Sequence, residues 1–443
     1  MYKQDPMPLM NQTGKRDRRA SLIAITAVVS RAAASGVAVL ITAALLAMPS
    51  TAATLQEPAA PLTLDQAQRY AREGSPTLSA ARREVEATEG QVLQGSLRPN
   101  PEFVFQAEDA SRLSRTSSAQ LDVPIETANK RGARIDAAER GREVAQTELV
   151  DRGQRLRAAV SAAFFDVLAA QELLRAAQDS LNLARRASDI AGKRVTAGKV
   201  SPVEETKARV AEASARVALA QAESGLRNAR TRLSSLWGNP VPHFTQAEGS
   251  IDSLPDLPDA ATLERRLQEA PLLLRAEHEL QRRKALVGVE QSRTVPDFTV
   301  SVGMKRRDDT IVRDQLLVGV TVPLPVFNRN QGNLLEALRR EDKARDELQA
   351  VRTTVSADAW QALEKVTARH REAQLLQRDV LPGARSAYEA ATIGFENGKF
   401  SFLELLDAQR TLFSATAQYL ASVAAVHAAL ADLDAILGTV GGQ

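Results

Sequence analysis

The chain has 443 residues, of which 44% are apolar but only 4% aromatic. Few aromatic side chains beside abundant Ala, Leu, Arg and Glu favour long helices packed through small residues over one thick core. The absence of cysteine excludes a disulfide scaffold, a thiolate metal site, a catalytic cysteine and a lipidated N-terminal cysteine. The first 53 residues contribute +4 to the net charge of +3, so the remainder carries −1 and its charge gives no argument for nucleic-acid binding.

Residues 1–53 are predicted to be a cleaved signal peptide. A basic segment ends at Arg19, residues 36–47 are apolar, and small residues follow at 50–53. This order of basic, apolar and small-residue segments is typical of a secretory signal. After cleavage we expect no transmembrane helix, because we find no further apolar run of about 18 residues.

The first elements after the signal are a helix and a strand pair. Thr63 followed by Gln66 is a capping box that begins a helix, and Pro76 interrupts that helix. Phe103, Phe105 and Ala107 then alternate with Val104 and Gln106, and over 120–123 apolar residues alternate with polar ones. Period-two alternation predicts strands, and in an exported protein it is also typical of outer-membrane strands with one face toward lipid.

Two very long helices are predicted, each followed by a turn and another helix. Lys130 to Val195 contains no proline and has helical apolar spacing, which indicates a rod of roughly 100 Å. A second rod is predicted from Gly332 to Gly394, bent at Pro382. The final helix has coiled-coil spacing with small residues at every second core position. Its two rows are Leu405, Leu412, Tyr419, Val426 and Leu433, and Ala408, Ala415, Ser422, Ala429 and Ile436.

The chain contains the same plan twice, which predicts two structural repeats, 54–245 and 246–443. Strands predicted at 298–303 and 316–322 match the pair in the first half. Ordered pairs of similar residues support the match. They are Pro101 with Pro296, Phe103 with Phe298, Val123-Pro124 with Val322-Pro323, Asn129 with Asn328, and Gly198-Lys199 with Gly398-Lys399.

Four strands in one chain cannot close a barrel in lipid, because open sheet edges leave backbone groups unpaired at several kcal/mol each. Two chains would supply eight strands, and an eight-stranded barrel is filled by its own side chains. Three chains would supply twelve. The predicted fold is therefore mainly α with a small membrane β-barrel: a homotrimeric 12-stranded barrel in outer-membrane lipid, continued by a long α-helical barrel.

No catalytic, cofactor or metal site is predicted. The four histidines are scattered, without a second ligand at metal-binding spacing, and each is interpreted as a surface or packing residue. Ser, Asp and Glu are plentiful, but no partnered base accompanies them. We therefore expect that the protein is not an enzyme.

These features together resemble the TolC-like outer membrane factors over residues 62–438. The heavy-metal branch typified by CzcC and CnrC is the most similar, through residues 62–67, 124–132 and 322–332. The resemblance implies a trimeric outer-membrane channel, docked onto a periplasmic membrane-fusion adaptor and an inner-membrane proton-driven pump of the RND type.

The family's adaptor-docking motif falls on the two helical turns. Its residues here are Arg194, Ala197, Gly198 and Ser201 in the first half, and Gly398 and Ser401 in the second. The same glycines suit helix ends where φ must become positive, so a purely structural role in the turns stays open.

The resemblance also places a channel gate at Glu404 and Asp407, three residues apart on one helix face. Three chains would bring six carboxylates to one constriction, which would attract cations. The alternative is ordinary solvated charge in a first helical turn. The family's links between tips use an aromatic and an arginine where this chain has Phe395 and Phe400, so its closed-state latch differs.

The predicted function is efflux of divalent heavy-metal cations of the cobalt, zinc, cadmium and nickel class across the outer membrane. A drug-efflux or type I secretion duct of the same fold is one alternative. A periplasmic coiled-coil adaptor is another, although an adaptor would not repeat the strand pairs twice.

Overall fold

The computed structural model describes residue 57 and residues 61–108, 116–251, 254–307 and 314–438. The predicted signal peptide lies outside these residues. The described chain is mostly helical with one small sheet. In chain order its elements are α1 Leu64–Gly74, α2 Pro76–Ser96, β1 Glu102–Glu108, β2 Thr116–Ile125, α3 Lys130–Thr196, α4 Pro202–Ser235, α5 Ala260–Leu267, α6 Pro271–Ser292, β3 Phe298–Arg307, β4 Asp314–Thr321, α7 Gln331–Leu375, a π-helical turn Leu376–Val380, α8 Leu381–Glu396 and α9 Phe402–Leu437.

Helix α3 is the long rod that the sequence predicted. It has 67 residues, which at about 1.5 Å per residue make a rod of roughly 100 Å. It begins after Asn129, whose φ of 54° is left-handed, and ends before Gly198, whose φ of 68° turns the chain back. Nothing between these two points breaks the backbone hydrogen bonds, because the segment has no proline.

The second rod is interrupted, as expected, but not at Pro382 itself. Helix α7 ends at Leu375, and the π-helical turn separates it from α8, in which Pro382 occupies the first turn. A proline cannot donate to the preceding turn, and its ring crowds the carbonyl four residues back. A π-helical turn placed just before the proline widens the helix where that crowding would fall.

The helices pack as a row in which α3 contacts both α4 and α9, and α9 also contacts α7 and α8. The largest core cluster lies midway, where α3 contributes Val160, Phe164 and Val167. The predicted coiled-coil rows of α9 face this packing, since Tyr419, Val426 and other members are buried. Small residues in these rows allow close approach of neighbouring helices.

Helix α9 corrects one expectation from the sequence. Residues 411–431 contain no Asp, Glu, Lys or Arg, so by length and composition this helix could cross a membrane. The prediction that no such apolar segment follows the signal was therefore wrong. Half of the most apolar 18-residue stretch of this helix is buried inside the chain, and its small apolar residues serve helix packing.

The sheet is four-stranded, antiparallel and ordered β1-β2-β3-β4. Its middle pair, β2 with β3, joins the two halves of the chain. Strands β2 and β3 have 10 residues each, which is the length of an outer-membrane strand. All four predicted strands are present, and β2 and β3 extend further than the alternation alone indicated.

The segment before α1 is tied to the connection between the two halves. The carboxylate of Glu57 is fully buried and accepts hydrogen bonds from the Trp237 indole, the Asn239 side-chain amide and the His243 backbone N–H. Leu62 forms an isolated parallel bridge with Ala247. Three donors satisfy the buried carboxylate, as its desolvation requires.

Candidate functional site

The helical tips are built by two turns of the same design. Gly198 and Gly398 have φ values of 68° and 70°, and in each turn the residue after the glycine donates back to a carbonyl of the preceding helix. Lys199 donates to Arg194 at 2.9 Å, and Lys399 donates to Gly394 at 2.8 Å. This is a Schellman-type helix end, in which glycine avoids the steric cost of a left-handed residue.

A serine begins the helix after each turn. Ser201 accepts a hydrogen bond from the Val203 N–H at 3.3 Å, and Pro202 occupies the first helical position. Ser401 forms a complete capping box with Glu404: the Ser401 N–H donates to the carboxylate at 2.7 Å, and the Glu404 N–H donates to the serine hydroxyl at 3.4 Å. Both serines therefore cap the helices that follow the turns.

Arg194 joins the two tips within the chain. Its Nη2 donates to the Phe395 carbonyl at 3.0 Å, and its guanidinium carbon lies 4.5 Å from the centre of the Phe395 ring. Phe395 is buried and packs edge-on against Phe402 at 6.1 Å. An arginine over an aromatic face is a favourable pair, so this contact supplies an arginine–aromatic link that the sequence pattern did not reveal.

Phe400 completes the second tip together with a glycine that sequence reasoning missed. A Cβ added at Gly394 would lie 2.2 Å from the Phe400 ring, so only glycine fits beneath it. The Phe400 N–H also donates to the Gly394 carbonyl at 3.1 Å. The signal for this contact is the six-residue spacing of a glycine and an aromatic around a turn, which is too common to be recognised alone.

The predicted site residues separate into exposed and packed groups. Ala197, Gly198, Ser201, Gly398 and Ser401 are exposed at the two turns, and Arg194 is half-buried between them. Glu404 and Asp407 are both exposed in the first two turns of α9. The structure thus brings the predicted docking residues together at one end of the helices, with the two acids directly behind the second turn.

Beneath the tips, apolar side chains hold the four helices together. They are mainly alanines and phenylalanines, with Leu405 and Leu406. Further along α9, the Gln409 side chain donates to Ser180 of α3, to the carbonyl at 2.8 Å and to the hydroxyl at 3.0 Å. Helix α9 is thereby fixed against α3 two residues after Asp407, so the acids have a defined position.

The sheet at the other end has two unlike faces. Residues paired across the strands share a face, and side chains alternate along each strand. One face carries exposed apolar residues in register: Phe103, Phe105, Leu121, Val302, Met304, Leu316, Val318 and Val320. The opposite face carries Glu102, Gln106, Ser118, Gln120, Asp122, Ser301, Lys305, Gln315 and Thr321.

One histidine packs in the helical region. The His427 ring of α9 stacks on Phe165 of α3, with ring centres 3.4 Å apart and planes 5° from parallel. Burial lowers the pKa of His427 to about 4. In the part of the chain that the structure describes, no group of three or more His, Asp or Glu residues is arranged to hold a metal ion.

Comparison with known proteins gives a family and a fold. The family model described as "Outer membrane efflux protein" matches residues 68–239 and 262–439. The chain is 47% identical over 383 residues to the cobalt-zinc-cadmium resistance protein CzcC of Cupriavidus metallidurans, covering 86% of this chain and 91% of the relative. It is 31% identical over 300 residues to the nickel and cobalt resistance protein CnrC of the same organism, covering 66% of this chain and 70% of the relative.

A solved structure has a similar fold. A crystal structure of CusC, whose description refers to transmembrane channel formation, superposes with a TM-score of 0.73 over 87% of this chain and 95% of CusC, at 18% identity. At this identity the likeness concerns the fold alone. Because the family model covers most of the chain and the CzcC likeness runs nearly end to end, the adaptor alternative is set aside: the chain belongs to the outer membrane efflux protein family.

Proposed function

We propose that this protein is the outer-membrane duct of a tripartite efflux system that exports divalent heavy-metal cations of the cobalt, zinc, cadmium and nickel class. The observation that carries the proposal is the 47% identity to CzcC across 91% of that protein. The CnrC relative is also a metal-resistance protein. The periplasmic adaptor and the inner-membrane RND pump are the partners that such a duct requires.

The duct is a homotrimer with a 12-stranded β-barrel in the outer membrane and an α-helical tunnel in the periplasm. The support is the sheet, which has an apolar face exposed and two open edges, β1 and β4. Lipid would cover the apolar face, and two further copies would pair the edges. Each copy contributes two structural repeats, 54–245 and 246–443.

The chain reaches the outer membrane through a signal peptide, residues 1–53, which is removed on export. Its mature form has no lipid anchor, because a chain without cysteine offers no thiol for acylation. The strands then hold it in the membrane.

The tips dock onto the adaptor, and the two acids form the gate. Ala197, Gly198, Ser201, Gly398 and Ser401 present backbone and small side chains at the exposed end of the helices. Glu404 and Asp407 of three copies place six carboxylates around the tunnel mouth, where they favour cations. Metal choice resides in the pump and adaptor, and the duct itself is a cation-tolerant pipe.

The test is growth after gene deletion and after complementation. We expect the deletion strain to lose resistance to cobalt, zinc, cadmium or nickel salts, to keep its resistance to detergents and dyes, and to recover when the gene is returned. A strain sensitive only to detergents and dyes would instead assign the protein to organic-compound efflux, the second use of this fold.

A further inference from the structure

Among the described residues of one chain, the two edges of the sheet are unpaired, and the joint between the two halves shows how they can pair. Strands β2 and β3 belong to different halves and pair over ten residues, from Thr116↔Arg307 to Ile125↔Phe298. Each copy in a ring needs one more joint of this kind, between β4 and β1 of the next copy. The internal joint can serve as a template if the residue correspondence between the two halves is known.

The two halves can be aligned by sequence or by strand pairing in the structure. For the second strand of each half, the two alignments differ by two residues. Phe105 corresponds to Val300, as the aligned Phe103 and Phe298 require. Phe105 pairs with Ala119, and Val300 pairs with Val320. Val320 is therefore the structural counterpart of Ala119. These two residues lie 201 positions apart, whereas Val123-Pro124 and Val322-Pro323 lie 199 apart.

The helix starts give the same separation independently. Helix α3 begins after Asn129 with a φ of 54°, and α7 begins after Asn330 with a φ of 60°. These are left-handed caps of the same design, and they lie 201 residues apart. The predicted match of Asn129 with Asn328 was therefore two residues short, and Leu324-Pro325-Val326 takes the place of Val123-Pro124-Ile125.

We propose that residues 322–326, which follow β4, become its continuation in the assembled protein and pair antiparallel with β1 of the next copy. The internal pair Val123↔Val300 transposes to Leu324 with Phe105 of the next copy. Likewise Ile125↔Phe298 transposes to Val326 with Phe103 of the next copy. This inference rests on the proposed homotrimer and gives that assembly its register.

Exposure at both edges fits this register. Leu324 is 81% exposed and Val326 62%, and on the other edge Phe103 is 72% exposed and Phe105 64%. Transposition brings these four apolar side chains together on the face that also carries the other exposed apolar residues. Cross-strand aromatic and aliphatic pairs of this kind stabilise sheets.

The backbone of the segment is compatible with a strand. Pro325 takes the position of Pro124, which is accommodated within β2 opposite Thr299. In the single chain the Val326 N–H donates to the Leu324 carbonyl at 2.8 Å, a local turn common at strand ends. On pairing, that bond is exchanged for one to the next copy, so no donor is lost.

A carboxylate lies at the start of each joint. Asp297, just before β3, accepts hydrogen bonds from the Thr127 N–H at 2.8 Å and from Lys130 Nζ at 2.6 Å. Its counterpart is Glu102, which is exposed at the start of β1. In the transposed joint the counterparts of Thr127 and Lys130 are Asn328 and Gln331, so Glu102 of the next copy meets an amide side chain in place of the lysine.

Disulfide cross-linking tests the register, because the chain has no cysteine of its own. Leu324→Cys with Phe105→Cys is the proposed pair, and Leu324→Cys with Phe103→Cys is the pair shifted by two residues. Val123→Cys with Val300→Cys is the matched control, since these residues pair inside one chain. Outer membranes are oxidised with copper-phenanthroline and air, and the fully denatured protein is run on non-reducing gels.

We expect the proposed pair to give covalent trimers, at least about tenfold more than the shifted pair. Directly opposite Cα atoms lie about 4.5–5.5 Å apart, within disulfide reach, whereas residues shifted by two lie beyond about 7 Å. The control pair should form its disulfide and still migrate as a single chain.

Three results would overturn the proposal. Trimers from the shifted pair alone would replace this register with the one from the sequence match. No cross-linked trimer from either pair, in a protein that light scattering shows to be trimeric, would refute the joint while leaving the duct intact. A monomeric protein by light scattering would remove both the joint and the assembly on which the proposed function depends.

Discussion

At the residue scale, the capping role of Glu404 can be separated from its proposed role in the gate. Its carboxylate caps α9 by accepting the Ser401 N–H, and its charge lies with that of Asp407 behind the second tip. Glutamine can also serve in a capping box, so Glu404→Gln removes the charge and keeps the cap. The residue types therefore allow the gate to be tested without disturbing the helix start.

The double variant Glu404→Gln, Asp407→Asn should reduce cation selectivity of the channel in a planar bilayer. It removes two carboxylates per chain from the proposed gate, which should shift the reversal potential toward zero and weaken block by trivalent cations from the periplasmic side. Ser401→Ala is the control: losing the cap should cost about 0.5–2 kcal/mol of stability and leave selectivity unchanged. An unaltered reversal potential in the double variant would show that both acids are ordinary solvated charges at a helix start and not a gate.

The buried imidazole of His427 should make stability depend on pH. Burial lowers its pKa to about 4, from 6.5 when exposed. The unfolded chain therefore binds a proton as pH falls below 6.5, while the folded chain does not until about pH 4. The contribution of the neutral His427 imidazole to the free energy of unfolding is therefore complete above pH 6.5 and is lost progressively between pH 6.5 and 4.

We expect His427→Gln to flatten the fall of Tm in that pH range, measured by calorimetry in detergent. Val426→Ala is the matched control, because this buried neighbour on α9 has no titratable group and its loss should lower Tm at every pH without changing the slope. If His427→Gln kept the parent's slope between pH 6.5 and 4, the stacked imidazole would not be responsible for it.

At the element scale, the helices could be predicted well from the sequence because single residues mark where each helix begins and ends. Asn129 and Gly198 bound α3, and Gly398 marks the second tip turn. The strand register was out of reach, since a shift of two residues keeps every side chain on its face and so leaves the alternation unchanged. The π-helical turn was also missed, because Pro382 predicts a disturbance but not how the backbone accommodates it.

The candidate site was only partly visible in the sequence for a similar reason. The turns and the two acids could be placed, as their residue types suit helix ends. The contact of Arg194 with Phe395 joins residues 201 positions apart, and it depends on how two separate helix ends meet. Local sequence patterns do not predict how these two helix ends pack against each other.

The two tip turns lead to a prediction about docking. Gly198→Val and Gly398→Val should preserve export and assembly and abolish metal resistance. No neighbouring atom lies within 4 Å of an added Cβ at either glycine, so the cost comes from the positive φ alone, about 1–2 kcal/mol per residue. Asparagine tolerates that conformation, so Gly198→Asn and Gly398→Asn should retain resistance. Resistance is measured by growth on cobalt and zinc salts, and normal growth of both valine variants would remove the tips from docking.

At the scale of the whole molecule, a single chain has an incomplete sheet. Its helices are packed through α3 and α9, and its sheet ends in two open edges beside an exposed apolar face. Lipid can cover the face, but backbone groups at the edges need partners from other copies. The proposed tunnel and gate both require several copies that close a ring.

The mass of the detergent-extracted protein tests that dependence most directly. Light scattering corrected for bound detergent should give a particle of three processed chains, because three copies are the smallest number that closes the sheet and leaves an open lumen. A stable, folded monomer would show that the edges need no partner and would contradict the barrel, the tunnel and the gate together.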